Sequence, residues 1–312
     1  MTIAAKALDA HGGLLIEAPE TASLAQLERD WIIEQFKSAG LLLLRGFQPD
    51  DAQFYAFGRR FAARFLIDPM PGRVSQEVAT ELQTVAPGDQ TLNLHYEYGI
   101  TPFQPDVLWL YCARPARAGG ATTVCDGIRI WQHLSAGTRE LLERTRIEYT
   151  LTLPRQSWSG FFGVRELGAA ARQRLAQMLA PIAGLEHRLD YRDTLTLHYR
   201  AAAIGPSKFT GRTAFLATIL PGVYLDFPPA RLDGGGEIPA ALLQQILDAS
   251  AELTIALAWQ PGDVVMIDNT RWLHGRHAFR DPQRRVLSLC AYANFDPVSA
   301  AMKPLPIGRP VI

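Results

Sequence analysis

The 312-residue sequence lacks several features that would place it in a functional class at once. Its three cysteines have neither zinc-ribbon nor redox spacing, which predicts buried thiols in a reducing compartment and hence a cytoplasmic protein. Its 31 basic and 31 acidic residues balance, so charge favours neither a nucleic-acid nor a membrane partner. No apolar run reaches the roughly 20 residues of a membrane span, and no signal-peptide pattern opens the chain.

The sequence also has no strict alternation of strands and helices, and no GxGxxG follows a first strand. Short strands with turn signals predominate, and the apolar run LLLL at 41–44 predicts a buried one. Helices are predicted over 23–40 and 51–65. The pattern predicts a single domain over 1–312 that is mainly β with α, with a helical layer at about 20–65 and a jelly-roll core at about 90–295.

The stretch LHYEYG at 94–99 places an imidazole and a carboxylate two residues apart. Residues i and i+2 of a strand point to the same face, so His95 and Glu97 project side by side. Such a pair is most often an ordinary surface feature, and a metal site needs a third ligand from elsewhere. His274, in the stretch VVMIDNTRWLHGRHAF at 264–279, is the candidate, favoured by its HGR context over His277 in the same stretch.

Two neutral imidazoles and one carboxylate form the ligand set suited to a non-haem Fe(II), with coordination positions left open. A bidentate 2-oxoacid could fill two of them, and its far carboxylate would need a fork-shaped cation. Arg285 opens the apolar strand VLSLCAYA eleven residues after His274, and strand alternation is expected to turn Arg284 to the other face. Asn269 either forms a turn or supports the ligands by hydrogen bonds, and the turn is favoured.

Three segments together carry a family resemblance: LHYEYG (94–99), LWLYCARPARAGGATTVCDG (108–127) and GDVVMIDNTRWLHGRHAFRDPQRRVL (262–287). The chain resembles the TauD/TfdA family of Fe(II)/2-oxoglutarate dioxygenases, and within it the SyrP-like branch, which carries LHxE in place of HxD. The resemblance implies a double-stranded β-helix, a catalytic iron centre at His95, Glu97 and His274, and contacts of Arg285 and Thr122 with 2-oxoglutarate. Many relatives carry a second arginine four residues further on, where this chain has Leu289.

The resemblance also implies a function. Fe(II), 2-oxoglutarate and O₂ would hydroxylate an unactivated C–H bond of an amino acid or natural-product intermediate, free or tethered to a carrier protein, with decarboxylation of 2-oxoglutarate to succinate. Glu97 occupies the position that related halogenases leave open, so oxygenation is expected. Desaturation, epoxidation, cyclisation, a non-catalytic metal-binding jelly roll and a metal-dependent hydrolase of the same barrel shape stay open as alternatives, and so does an oligomer.

Four further residues are candidates for substrate contacts. Trp158 and Phe161 lie in RQSWSGFF (155–162), a predicted loop that either covers substrate or packs on the barrel. Lys208 lies in a Gly/Pro loop, where it either meets an anionic group or is solvated. Arg276 either orients a substrate carboxylate or pairs with an acidic side chain.

Overall fold

The structure, a computed structural model, describes residues 3–19, 22–68, 72–166, 168–220 and 228–301. Its largest element is a nine-stranded sheet, called the large sheet, in the order β1-β2-β3-β17-β8-β19-β6-β5, with β4 also paired to β19. The pairs are antiparallel except β2 with β3. The strands of the large sheet are β1 Ala5–Asp9, β2 Gly12–Glu17, β3 Leu41–Arg45, β4 Ala62–Leu66, β5 Ser75–Gln76, β6 Ala79–Thr84, β8 Val107–Arg114, β17 Val264–Asp268 and β19 Arg285–Ala293.

A second sheet of four strands, called the small sheet, has the order β16-β9-β18-β7. Its strands are β7 Leu92–His95, β9 Thr122–Asp126, β16 Ile255–Leu257 and β18 Trp272–Arg276. A further four-stranded sheet and a hairpin are formed by β10 Arg146–Leu153, β11 Leu185–Leu189, β12 Leu195–Ala202, β15 Arg231–Leu232, and by β13 Ile204–Pro206 with β14 Thr213–Phe215.

Helices precede, connect and follow these strands. They are a 3-10 turn at Leu24–Gln26 and the helices α1 Arg29–Ala39, α2 Asp51–Arg59, α3 Gly127–His133, α4 Ala136–Arg144, α5 Arg155–Phe162, α6 Gly168–Leu179, α7 Ala240–Leu253 and α8 Pro297–Ala301. Within the described ranges, no helix has the length and apolar character to cross a membrane.

The run LLLL explains why the large sheet has two covered faces. Alternate residues of a strand point to opposite faces, and all four leucines are buried. Leu41 and Leu43 belong to the core cluster that includes Val124 of the small sheet, whereas Leu42 and Leu44 belong to the cluster that includes Phe36 of α1. The large sheet therefore lies between the N-terminal helices and the small sheet.

The predicted elements agree with the structure in most places. Gly40 ends α1 in the left-handed conformation, with φ of 73°. The helix predicted over 51–65 ends at Arg59, because the following residues form β4 against β19. The loop predicted at 155–162 is wrong: these residues form α5, which buries its aromatic side chains. The division into one domain stays a prediction.

Candidate metal centre

Two neighbouring strands of the small sheet bring the two candidate histidines together. β7 and β18 pair antiparallel, and His95 lies directly opposite His274. Their ring centroids are 4.3 Å apart. Glu97 follows the end of β7 by two residues, and its Oε2 lies 3.3 Å from Nε2 of His274. All three side chains are buried.

The backbone of Glu97 is held by the turn before β18. The Glu97 amide donates to Oδ1 of Asn269 at 2.9 Å, and Nδ2 of Asn269 donates to the carbonyl oxygens of Glu97 and Pro105, both at 3.0 Å. Beside it, the Tyr96 hydroxyl donates to the carbonyl of Phe215 at 2.6 Å. Asn269 lies in a turn as expected, and it also fixes the strand end that presents the carboxylate.

The geometry of the three side chains fits a divalent metal ion. One ligand atom from each of His95, Glu97 and His274 lies within 4.8 Å of the other two. Adjacent ligands of an octahedral ion at about 2.1 Å lie about 3 Å apart, close to the 3.3 Å between Glu97 and His274. Nδ1 of His95 lies 2.8 Å from the carbonyl of Asn93, so a proton there leaves the Nε2 lone pair for a metal.

The electrostatics of the site keep the donors in the form that binds a metal. Burial, together with the neighbouring His274, lowers the pKa of His95 to about 3, so the imidazole is neutral near pH 7. Burial by itself would raise the pKa of Glu97, but Arg73 and His274 outweigh it, and the net shift is downward. Glu97 is therefore a carboxylate at neutral pH.

The three side chains line a cavity of about 50 Å³, called the site cavity. Its other charged or hydroxyl-bearing lining residues are Arg73, Thr122, Arg276, Arg284 and Ser288. A larger groove of about 640 Å³, called the outer groove, adjoins it. Residues that line both are Val85, Ala86, Arg276, Arg284 and Val286.

Arg284 is a half-buried cation that lines the site cavity, and no described carboxylate forms a salt bridge with it. Its Nη2 donates to the carbonyl of Gly120 at 3.0 Å, and its buried Nε has no hydrogen-bond partner among the described residues. Burial and then the nearby Arg276 lower its pKa to about 10, which leaves it protonated at neutral pH. A half-buried, protonated guanidinium whose buried Nε lacks a partner among the described residues suits an anionic ligand.

Thr122 lies at the same end of the cavity. It is the first residue of β9 and pairs in register with Arg276 of β18. Its buried hydroxyl oxygen accepts a hydrogen bond from Nε1 of Trp259 at 3.1 Å. This bond leaves the hydroxyl proton of Thr122 available for a bound acceptor.

The prediction that Arg285 faces the ligand triad is contradicted by the geometry. Along β19 and the residue before it, the even-numbered side chains Arg284, Val286 and Ser288 line the site cavity. Arg285 is not part of this lining. It points away from the site cavity and lines the outer groove, where Nη1 donates to Oδ1 of Asp51 at 2.9 Å and Nη2 to Oε1 of Gln76 at 2.8 Å. Side chains do alternate here as the sequence analysis assumed, but Arg284 faces the site cavity and Arg285 does not.

The assignment of Arg284 to the cavity also changes which position corresponds to the second arginine of many relatives. Leu289 packs against the N-terminal helices rather than facing the site. The residue four positions after Arg284 is Ser288, and its hydroxyl lies 3.3 Å from Nη1 of Arg73. Arg73 therefore brings a guanidinium to this part of the cavity from a distant segment. Sequence reasoning missed it, because nothing in the turn-rich stretch 66–93 marks one cation.

Of the four candidate substrate residues, the structure brings only Arg276 to the site cavity. Trp158 is fully buried, and its Nε1 donates to the carbonyl of Asp193 at 2.8 Å. Phe161 packs its ring 6.1 Å from that of Tyr98. Nζ of Lys208 lies 2.8 Å from Oδ1 of Asp106 and 3.2 Å from Oδ2 of Asp296, so Lys208 forms salt bridges with two carboxylates of the protein.

Arg276 differs from the other three because its guanidinium is fixed by backbone oxygens. Nη1 donates to the carbonyl of Ala86 at 2.9 Å and Nη2 to that of Gln90 at 3.1 Å. Its Nε is buried without a partner among the described residues. Among the described residues no carboxylate forms a salt bridge with Arg276, so the expected pairing with an acidic side chain is not seen. Arg276 lies beside Arg284 where the cavity meets the outer groove, and a role in orienting a substrate carboxylate stays a prediction.

Comparison with known protein families decides the class of this site. The family model "Taurine catabolism dioxygenase TauD, TfdA family" matches residues 8–291. The chain belongs to the TauD/TfdA family. Membership confirms the predictions of an oxidoreductase of the Fe(II)/2-oxoglutarate-dependent dioxygenase class, with Fe(II), 2-oxoglutarate and O₂ as its cofactor set.

Individual relatives of this TauD/TfdA protein are distant. A clavaminate synthase-like protein of Arabidopsis thaliana is 22% identical over 304 residues, which cover 88% of each chain. Pentalenolactone F synthase of Streptomyces arenae is 25% identical over 263 residues, covering 79% of this chain and 80% of the relative.

The fold is shared with solved structures. A putative alpha-ketoglutarate-dependent taurine dioxygenase from Burkholderia xenovorans superposes with a TM-score of 0.64 at 17% identity, covering 94% of this chain and 93% of that one. The likeness confirms the predicted jelly-roll core with flanking helices.

Proposed function

We propose that this TauD/TfdA protein hydroxylates an unactivated C–H bond of a small amino acid or natural-product intermediate, with decarboxylation of 2-oxoglutarate to succinate. One observation carries the proposal: a buried His–Glu–His cluster and a half-buried arginine that forms no salt bridge with a described carboxylate line the same cavity. The name of pentalenolactone F synthase, a relative over four-fifths of its length, supports a biosynthetic substrate.

His95, Glu97 and His274 are the proposed Fe(II) ligands. Both imidazoles come from paired strands of the small sheet, and the carboxylate follows one of those strands directly. Three ligands on one side of the ion leave the other side to the cosubstrates. Bound Fe(II) and 2-oxoglutarate supply the activation of O₂ and the oxidising equivalent for the substrate C–H bond.

Arg284 and Thr122 are the proposed contacts for the distal carboxylate of 2-oxoglutarate. A guanidinium binds a carboxylate with two parallel hydrogen bonds, and Arg284 has an unpartnered Nε for this purpose. The Thr122 hydroxyl adds a neutral donor. Arg285 has no part in this assignment, since Asp51 and Gln76 bind its guanidinium on the other face.

Substrate recognition is proposed to involve Arg276 and the outer groove. Arg276 lines both the cavity and the groove, so a ligand entering through the groove passes its guanidinium. A carboxylate on the substrate would be attracted there. This placement supports an acidic or amino-acid-like substrate over an uncharged one, and the buried positions of Trp158 and Phe161 argue against direct contacts from α5.

The test is an anaerobic titration of the purified protein with Fe(II) and then 2-oxoglutarate. Chelation of ferrous iron by the keto acid gives a visible charge-transfer absorption, which we expect for the wild type and not for His274→Ala. Addition of O₂ should then convert 2-oxoglutarate to succinate. A protein that binds Fe(II) but never develops the absorption, or a His274→Ala variant that retains it, would rule out the proposed site.

A further inference from the structure

Arg73 contacts one of the proposed iron ligands directly. Its Nη2 donates to Oε1 of Glu97 at 2.5 Å. The other carboxylate oxygen, Oε2, faces Nε2 of His274 at 3.3 Å. The two oxygens of Glu97 therefore have different partners, one a guanidinium and one a neighbouring ligand. A carboxylate held in this way presents one oxygen to a metal ion.

Arg73 is itself fixed at the other end of its guanidinium. Its Nε lies 2.7 Å from Oδ2 of Asp68, and both side chains are only 9% exposed. Asp68 is anchored to β6, because its amide donates to Oε1 of Gln83 at 2.7 Å and its carbonyl accepts from Nε2 of Gln83 at 3.1 Å. A buried chain of alternating charge thus runs from Asp68 through Arg73 to Glu97.

The charge of Asp68 makes this arrangement compatible with a divalent ion. A lone guanidinium beside the ligands would repel the metal, whereas the Asp68–Arg73 pair is neutral as a unit. Ser288 leaves space for the guanidinium on the cavity face of β19, and its hydroxyl lies 3.3 Å from Nη1 of Arg73. The pair therefore supplies hydrogen-bond direction without net charge.

We propose that Arg73 is a positioning residue that holds Oε1 of Glu97 and so directs the carboxylate to bind the metal through Oε2 alone. The inference rests on the proposed function, since it takes Glu97 as a ligand. Groups that hydrogen-bond a metal ligand orient it and commonly change metal affinity by about 10–100-fold when they are removed.

The test is a Co(II) titration of the full chain followed by visible absorption, which reports both affinity and the coordination of the ion without turnover. Arg73→Gln should weaken Co(II) binding by about 10-fold or more and change the shape of the absorption bands, because Oε1 is then free to bind the ion. Arg73→Lys keeps the charge and one donor and should recover part of the affinity.

Arg285→Gln is the matched control. Arg285 contacts the same segment through Gln76, yet it lies on the opposite face of β19 from Glu97. Its removal disturbs the segment that carries Arg73 but not the bond to the ligand, so the wild-type affinity and spectrum should persist. Equal losses in Arg73→Gln and Arg285→Gln would mean a general loosening of the segment and would overturn the inference.

The remaining outcomes are also decisive. Unchanged Co(II) binding in Arg73→Gln overturns the inference, and tighter binding would show that Arg73 competes with the metal. If Arg73→Gln does not fold, Asp68→Asn keeps the guanidinium but removes its counter-charge; weaker binding supports the role of the pair, and wild-type binding overturns it. A wild type that binds no Co(II) refutes the proposed metal site itself, which separates that failure from failure of the Arg73 assignment alone.

Discussion

The adjacent residues Arg284 and Arg285 provide the sharpest test of the site, because the structure gives them different roles. Replacing Arg284 with Gln removes a half-buried cation of the cavity, so a carboxylate bound there would lose its charged partner. Loss of one partner from a buried charge pair costs about 2–5 kcal/mol. Since about 1.4 kcal/mol is a factor of ten in affinity, the dissociation constant for 2-oxoglutarate should rise by about 30-fold or more.

Replacing Arg285 with Gln should have a different effect. In the ion pair of Arg285 with Asp51, the two side chains are 39% and 23% exposed, respectively. Exposed ion pairs contribute about 0–1 kcal/mol to stability. Arg285 lines the outer groove but not the site cavity, so the affinity for 2-oxoglutarate should change by less than about 3-fold.

The assay is the anaerobic charge-transfer titration at saturating Fe(II), carried out on the wild type and both variants. Thermal unfolding of each variant verifies that it is folded. A large loss of 2-oxoglutarate affinity in Arg285→Gln with little change in Arg284→Gln would refute the face assignment of β19 and restore the prediction made from the sequence.

Three further predictions concern the framework of the site. Gly275→Ala would place Cβ 2.5 Å from the carbonyl oxygen of Leu92 and 2.8 Å from Oγ1 of Thr123. We expect urea unfolding to show a loss of about 1–3 kcal/mol of stability, and Co(II) titration to show weaker metal binding at the adjacent His274. Asp126→Asn breaks a buried two-bond pair with Arg271, at 3.0 and 2.7 Å, and should lower the free energy of unfolding by about 3–5 kcal/mol; a loss below about 1 kcal/mol would contradict the buried pairing. Burial raises the pKa of Asp268 from 3.8 to about 7, so between these pH values the folded protein retains a proton that the unfolded chain releases. The contribution of Asp268 to the free energy of unfolding should therefore fall as pH rises from about 4 to 7. Asp268→Asn should flatten that part of the pH profile of unfolding.

Local pattern was sufficient to find the ligand cluster. His95 and Glu97 are two residues apart at a strand end, and of the two histidines in the downstream turn–strand stretch, the HGR motif selected His274 over His277. Family resemblance then located Thr122. These assignments depend on short-range periodicity and motif spacing, which can be read from the sequence without knowing the fold.

Long-range placement was what the sequence could not supply. Arg284 lines the site cavity, whereas Arg285 contacts Asp51 and Gln76, and neither placement can be read from two adjacent arginines in the sequence. Arg73 reaches Glu97 across 24 positions of sequence through a turn, and no periodicity connects them. The segment 155–162 contains a glycine at 160 that suggests a loop, but burial of its aromatic side chains stabilises a helix.

The pairing of β3 with β17 has a consequence for biosynthesis. Leu44 of β3 pairs with Val264 of β17, and His95 of β7 pairs with His274 of β18. Strand β3 therefore gains this partner, and the metal centre its third ligand, only after residues 264–274 have been synthesised. Non-local pairing of this kind forms slowly and leaves apolar strands open to aggregation in the meantime. Iron loading must therefore follow synthesis of β18, and we expect ribosome-bound chains that stop before residue 264 to remain sensitive to protease and dependent on chaperones.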